Sequence, residues 1–172
     1  MTLVLTIILG LPLLVAGVFL AGFVINRYNR FVVLNNQVHN VYATIDVLLK
    51  KRFDLLPNMI RVVEKYAQHE QETLAAVTAL RSQSQAAHGE DETIDLNNRL
   101  TRQLNHVMGL AEAYPDLKAD EHFLHLQATL VELENQIGSG REAYNNAVTT
   151  FNNTVAVFPE NLFAPLMGFR EK

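Results

Sequence analysis

The sequence predicts an all-α protein: an N-terminal transmembrane helix followed by an antiparallel up-down four-helix bundle. Three observations carry that expectation. Of the first 26 residues 19 are hydrophobic, and every one of the 14 basic and 18 acidic side chains lies beyond them. Downstream, apolar residues recur at alternating steps of three and four, the period of a buried helix face, and the strict alternation of a strand is absent. The breaks between these runs are short and fall at Pro57, Gly89 and Pro115, the spacing of a helical bundle. The chain therefore divides into an anchor (1–26), a bundle (27–158) and an apolar tail (159–172).

Residues 2–25 form the anchor. They carry no charge, and 24 residues at ~1.5 Å each make a helix of roughly 36 Å, enough to cross a ~30 Å hydrocarbon core with some tilt. A cleaved signal peptide is the alternative, with Gly17, Ala21 and Gly22 as its small-residue region. Against it, nothing basic precedes the run, which is also longer than a usual signal core. Pro12 implies a local bend that a membrane helix tolerates. Arg27 and Arg30 follow the span, so the positive-inside rule puts the N-terminus outside and the remainder in the cytoplasm. Tyr28 then sits at headgroup level. Gly17 and Ala21 form a small-xxx-small pair of low specificity.

Helix A continues the span to about Arg52, since neither Gly nor Pro occurs between Gly22 and Pro57. Its inward seam is Phe31, Leu34, Val38, Val41, Ile45 and Leu48. Phe53-Asp54 is expected to be a turn with Asp54 as N-cap, placing Pro57 in the first turn of helix B, where its missing N–H loses no bond. A single helix kinked at Pro57 is the alternative. Helix B is expected over Leu55 to Ala86, with Leu56, Ile60, Val63, Ala67, Leu74, Val77 and Leu80 inward. His88 to Glu92 forms a loop with Gly89 as stop signal. Helix C (Thr93 to Ala113) turns Leu100, Leu104, Val107 and Ala111 inward and ends at Tyr114-Pro115-Asp116. Helix D (Asp120 to Val157) presents Phe123, Leu126, Leu130, Leu133, Ile137, Tyr144, Val148, Phe151, Val155 and Phe158, with Gly138 and Gly140 as a weak point. Up-down order returns the B–C loop and the C-terminal end to the bilayer side.

The chemistry of sites is sparse. A net charge of −4 does not fit a dedicated nucleic-acid binder, so no nucleic-acid partner is expected. The absence of Cys removes disulfides, thiolate metal sites and a Cys nucleophile. His122 and His125, or Glu121 and His125, share a helix face, yet a bundle-core metal site needs paired Glu-x-x-His elements, and none occurs. His69-Glu70 stands alone. Glu70 falls near the seam of helix B and must either pair, for instance with Arg99 or Arg102, or turn outward. No phosphate-binding loop or nucleophile elbow is present. The expectation is no catalytic, metal or cofactor-binding residue. Lys50, Lys51 and Arg52 are a possible partner patch, though a solvated helix end complementing the dipole explains them equally. Asn residues gather at 29, 35, 36 and 40 and again at 145, 146, 152, 153 and 161, placed to fix register or to lie on the surface. The tail carries the strongest signal: Leu162, Phe163, Leu166, Met167 and Phe169 are too many apolar side chains to leave in water. They pack on their own bundle, lie in the bilayer interface, or contact another subunit, with Tyr28 as a companion contact.

Several short motifs recur together: Tyr28-Asn29-Arg30; Ile45-Asp46-Val47 and Leu49-Lys50-Lys51-Arg52-Phe53-Asp54-Leu55-Leu56-Pro57-Asn58; Tyr66-Ala67-Gln68-His69-Glu70; Tyr144-Asn145; Phe158-Pro159; Asn161-Leu162; and Gly168-Phe169. In this order and spacing the chain resembles the LemA family along its whole length. Val41-Tyr42-Ala43 stands where such proteins often have an Ala-Trp pair, a departure that concerns packing. The resemblance implies one N-terminal anchor with a cytoplasmic helical bundle, no catalytic residues and no cofactor. Its relatives include magnetosome-membrane proteins and its genes often neighbour membrane metallopeptidases. The functional expectation is a non-enzymatic, self-associating scaffold or adaptor on the cytoplasmic face of the bacterial inner membrane. Its expected partners are the lipid bilayer and further copies of itself. The alternative is a regulatory partner of a membrane protease or envelope-stress system.

Overall fold

A computed structural model describes residues 2–86 and 90–172. Of the expected B–C loop, His88 to Glu92, residues 88 and 89 lie outside the described residues, as does its return to the bilayer side, whereas Glu90 to Glu92 are already helical. Among those described there are helices and no strands. They are α1 (Thr2–Asp54), α2 (Leu56–Tyr66), α3 (Gln71–Ala86), α4 (Glu90–Ala113), α5 (Pro115–Lys118), α6 (Glu121–Ala156) and α7 (Glu160–Phe163), followed by a 3-10 turn at Pro165–Met167. The chain separates into two compact units, one of residues 1–42 and 142–172, the other of residues 43–141.

The 43–141 unit is built around a core that draws on every helix passing through it. Phe53, Leu56, Met59 and Val63 meet Leu74, Val77 and Leu80 of α3, Leu100, Leu104 and Val107 of α4, Leu117 of α5, and Phe123, Leu126 and Leu130 of α6. The main pairing is α3 on α4, with α2 against α3 and α5. Most of the expected inward residues of helices B, C and D are buried. Along the expected seam of α1, Phe31, Val38 and Ile45 are buried and Leu34, Val41 and Leu48 half-buried, while Leu49, not expected there, is buried.

Two further helix boundaries depart from expectation. Phe53 and Asp54 are the last residues of α1, not a turn, and Asp54 does not cap α2. Leu55 alone separates the helices, with φ −77° and ψ −20°, still right-handed helical backbone. The geometry is that of a helix interrupted ahead of a proline: Pro57 has no N–H to offer the carbonyl of Phe53, and its ring crowds that carbonyl. The expected helix B is also two helices. Ala67 leaves helical geometry at φ −123° and ψ 55°, and the N–H groups of Glu70 and Leu74 rejoin the chain through the carbonyls of Ala67 and Glu70.

Gly138 and Gly140 do not interrupt α6. A Cβ at Gly138 would meet nothing within 4 Å, whereas one at Gly140 would stand 3.0 Å from Cγ1 of the buried Ile45. Gly140 is thus a close-approach residue between α6 and α1.

In the other unit, α1 meets the last four turns of α6 and the C-terminal segment. Phe31, Val38, Ala147, Phe151, Val155 and Ala164 form its core, with Leu34, Tyr144, Val148, Met167 and Phe169 packed against it. α6 stops at Ala156 because Pro159, reached through a cis Phe158–Pro159 bond, cannot continue the ladder. Phe158, expected on the inward stripe, is 79% exposed, since it lies beyond the helix that would have kept its phase.

Candidate functional site

The sequence-predicted contact residues separate into two sets. Tyr28, Phe163, Met167 and Phe169 gather against their own chain. The Phe169 ring lies 5.4 Å from Phe31 and 5.9 Å, edge-on, from Tyr28, and 6.5 Å from Phe151. The Phe163 ring meets Phe23 edge-on at 6.1 Å. Backbone geometry makes this possible: Gly168 adopts φ +83°, a left-handed conformation that costs an L-residue but not glycine. The Phe169 N–H then turns back to the carbonyl of Ala164 at 2.9 Å. Leu162 and Leu166 stay outside, 58% and 85% exposed.

An ion pair that sequence reasoning missed locks this segment in place. Arg27, the first charged residue of the chain, donates from Nη1 to Oε1 of Glu160 at 2.5 Å, and Glu160 is buried. The Arg27 guanidinium also lies 4.8 Å over the Phe23 ring. At Lys172 the backbone N–H donates to Oδ1 of Asn152 at 3.0 Å, and Nδ2 of Asn152 donates to the Lys172 carbonyl at 3.1 Å. Asn152 thus ties α6 to the chain terminus, one register role among the clustered asparagines.

The basic run at the end of α1 does not act as one patch. Lys50 pairs with Asp46 at 2.6 Å across an exposed helix turn, and Lys51 is exposed. Arg52 is only 6% exposed. Its Nη1 donates to Oγ1 of Thr101 at 3.0 Å and its Nη2 lies 3.0 Å from Oε2 of Glu134. Burial draws its pKa below the usual arginine value, with Glu134 opposing that shift and Arg141 adding to it. Arg52 is an internal strut, and a surface patch there consists of the two lysines.

Glu70 lies on the turn between α2 and α3, not on a helical seam. Its Oε1 accepts a long hydrogen bond from the Tyr114 hydroxyl at 3.4 Å, and it shares an open cleft of about 560 Å³ with His69, Arg102 and His106. Arg99 stands 4.0 Å from Asp95 instead. Asp120, unremarked in the sequence, is the N-cap of α6: its Oδ1 accepts from the N–H groups of His122 and Phe123, and its Oδ2 from the Tyr66 hydroxyl at 2.8 Å. Those bonds, the Tyr66 one foremost, hold its carboxyl below the usual carboxylate range. Among the described residues no group of three or more His, Asp or Glu is close enough to hold a metal ion.

One described helix is long and apolar enough to cross a membrane, and its apolar window is wholly unburied by the rest of the chain. Wholly helical secondary structure with one candidate span, among the described residues, defines the class of protein. The LemA family model matches residues 41–172, and the chain belongs to the LemA family. It is 22% identical to magnetosome protein MamQ 1 of Paramagnetospirillum magneticum, over 84% of this chain and 62% of that protein. Magnetosome protein MamQ of Magnetospirillum gryphiswaldense is 21% identical over the same shares. Protein LemA of Metamycoplasma hominis is 27% identical over 88% of this chain and 69% of its own length. The chain thus spans about 62% of the length of the magnetosome relatives it matches.

Proposed function

We propose that this protein is a non-enzymatic, membrane-anchored scaffold or adaptor that self-associates at the cytoplasmic face of the bacterial inner membrane. The N-terminus lies outside and the helical body inside. The observation that carries this reading is the bare apolar surface of α1 from Leu11 to Ile25, continuous with a helix whose next turns are built into the folded body. Such a surface is stable in hydrocarbon and not in water. The pairing of α3 with α4 across a short connection supports an antiparallel, up-down arrangement of the body. The likeness to magnetosome proteins supports a part in membrane organisation.

Cross-linking of the full chain in native membranes tests the assembly claim. Dimers or larger species are expected, and monomer alone overturns self-association. Co-purification of a stoichiometric different protein from gently solubilised membranes would replace self-association with the regulatory-partner reading. Reporter fusions at the two ends test orientation, which fails if the C-terminal fusion reports from outside.

A further inference from the structure

Three exposed apolar side chains of the C-terminal segment have no role in the contacts described so far. Phe158, Leu162 and Leu166 are spaced four residues apart and are 79%, 58% and 85% exposed, while Phe163, Met167 and Phe169 from the same segment pack inward. The segment is therefore two-faced: one face seals it to α1 and α6, and the other is presented outward.

Its position along α1 identifies the occupant of that outer face. Glu160 is paired with Arg27, where the charge-free stretch of α1 ends. Phe163 reaches Phe23, four residues earlier, which is ~6 Å nearer the apolar end of the helix. The segment thus crosses the charge boundary of α1 into the stretch where Phe19 and Ile25 are exposed. Its charge matches that setting. Glu160 is the only charged residue between Glu142 and Arg170, and pairing with Arg27 neutralises it.

We infer that the Phe158–Leu166 segment is a second membrane contact, resting in the interfacial layer of the bilayer with Phe158, Leu162 and Leu166 among the lipids. The inference rests on α1 spanning the membrane. The unit of residues 1–42 and 142–172 then meets the bilayer at two points joined by the Arg27–Glu160 pair.

The chain contains no Trp, so a single introduced Trp reports its own surroundings. Phe158→Trp, Leu162→Trp and Leu166→Trp place the probe on the outer face, where the added volume meets nothing behind it. Phe19→Trp reports the span, and Val131→Trp, at an exposed site on α6, reports the aqueous body. Each full-length variant is reconstituted into vesicles of mixed zwitterionic and anionic phospholipid, with and without lipids brominated near the glycerol end of the acyl chains. The expected result is blue-shifted emission and marked quenching at 158, 162 and 166, as at 19, with none at 131. Quenching at 19 while the tail sites behave like 131 overturns the inference and leaves the span intact. Blue-shifted tail probes that escape lipid quenching and respond to protein concentration overturn it in favour of a second copy on this face. No quenching at 19 removes the span and the inference with it.

Discussion

Arg52 and Asp120 show how single polar side chains hold the 43–141 unit together. Arg52 makes charge-assisted bonds to Thr101 and Glu134 from a buried position while its Nε has no partner among the described residues. Arg52→Ala is expected to lower stability by about 2 kcal/mol, the scale of a hydrogen bond to a charged group, whereas Lys51→Ala should change it by less than ~0.5 kcal/mol. Thermal melts of the solubilised chain check both, and equal effects would deny the strut. It follows that replacing Lys50 to Arg52 together cannot isolate a surface role, because the third substitution damages the core. Asp120 supplies a pH signature. Its folded pKa lies below the unfolded value near ~3.9, so its contribution is complete above that value and is lost as pH falls toward the folded pKa. Asp120→Asn should flatten the acid limb of a Tm-versus-pH curve, and an unchanged limb would assign the acid sensitivity elsewhere. Neither residue stands out in the sequence. Arg52 reads as the last of a solvated triplet, and the partners of Asp120 include Tyr66, 54 positions away.

At the level of helices, the sequence is most legible where periodicity is long. Phe31, Val38 and Ile45 follow a heptad and are buried as expected. Beyond them Arg52 keeps the heptad position and is buried, and Leu49 is buried where Leu48 was expected. The Ala67–Glu70 break has no Gly or Pro to announce it. It is set by backbone geometry at Ala67 and a tertiary contact from Tyr114, neither of which a local pattern contains. Gly138 and Gly140, alike in sequence, differ in surroundings and give a matched test. Gly138→Ala is expected to stabilise the chain by up to ~1 kcal/mol through helix propensity. Gly140→Ala should destabilise it, because the new methyl meets Ile45, and an Ile45→Ala background should remove that penalty by direct coupling. Equal gains at both positions would show that Ile45 yields freely.

For the molecule as a whole, the long apolar helix and the family motifs are readable from the chain, and the tail is readable as apolar. Its division into an inward and an outward face is not. That division depends on Gly168 entering the left-handed region and on Glu160 finding Arg27, 133 residues earlier. The pair also yields a stability prediction. Glu160→Ala leaves a half-buried guanidinium without its carboxylate, and removing one member of a buried pair costs more than the pair is worth. Limited proteolysis should cut the variant within residues 157–172 much faster than the parent, with the 43–141 unit unaffected. Equal cutting rates would mean that aromatic contacts alone hold the segment.

That long reach has a consequence for biogenesis. Residues 43–141 form a contiguous stretch and can fold as they emerge, whereas Arg27 must wait for a codon 133 positions downstream. At ~5–20 residues per second of translation, the interval is on the order of ten seconds, during which Arg27 has no carboxylate to pair with. A chain that terminates before Glu160 therefore carries a complete 43–141 unit and an Arg27 without its partner carboxylate.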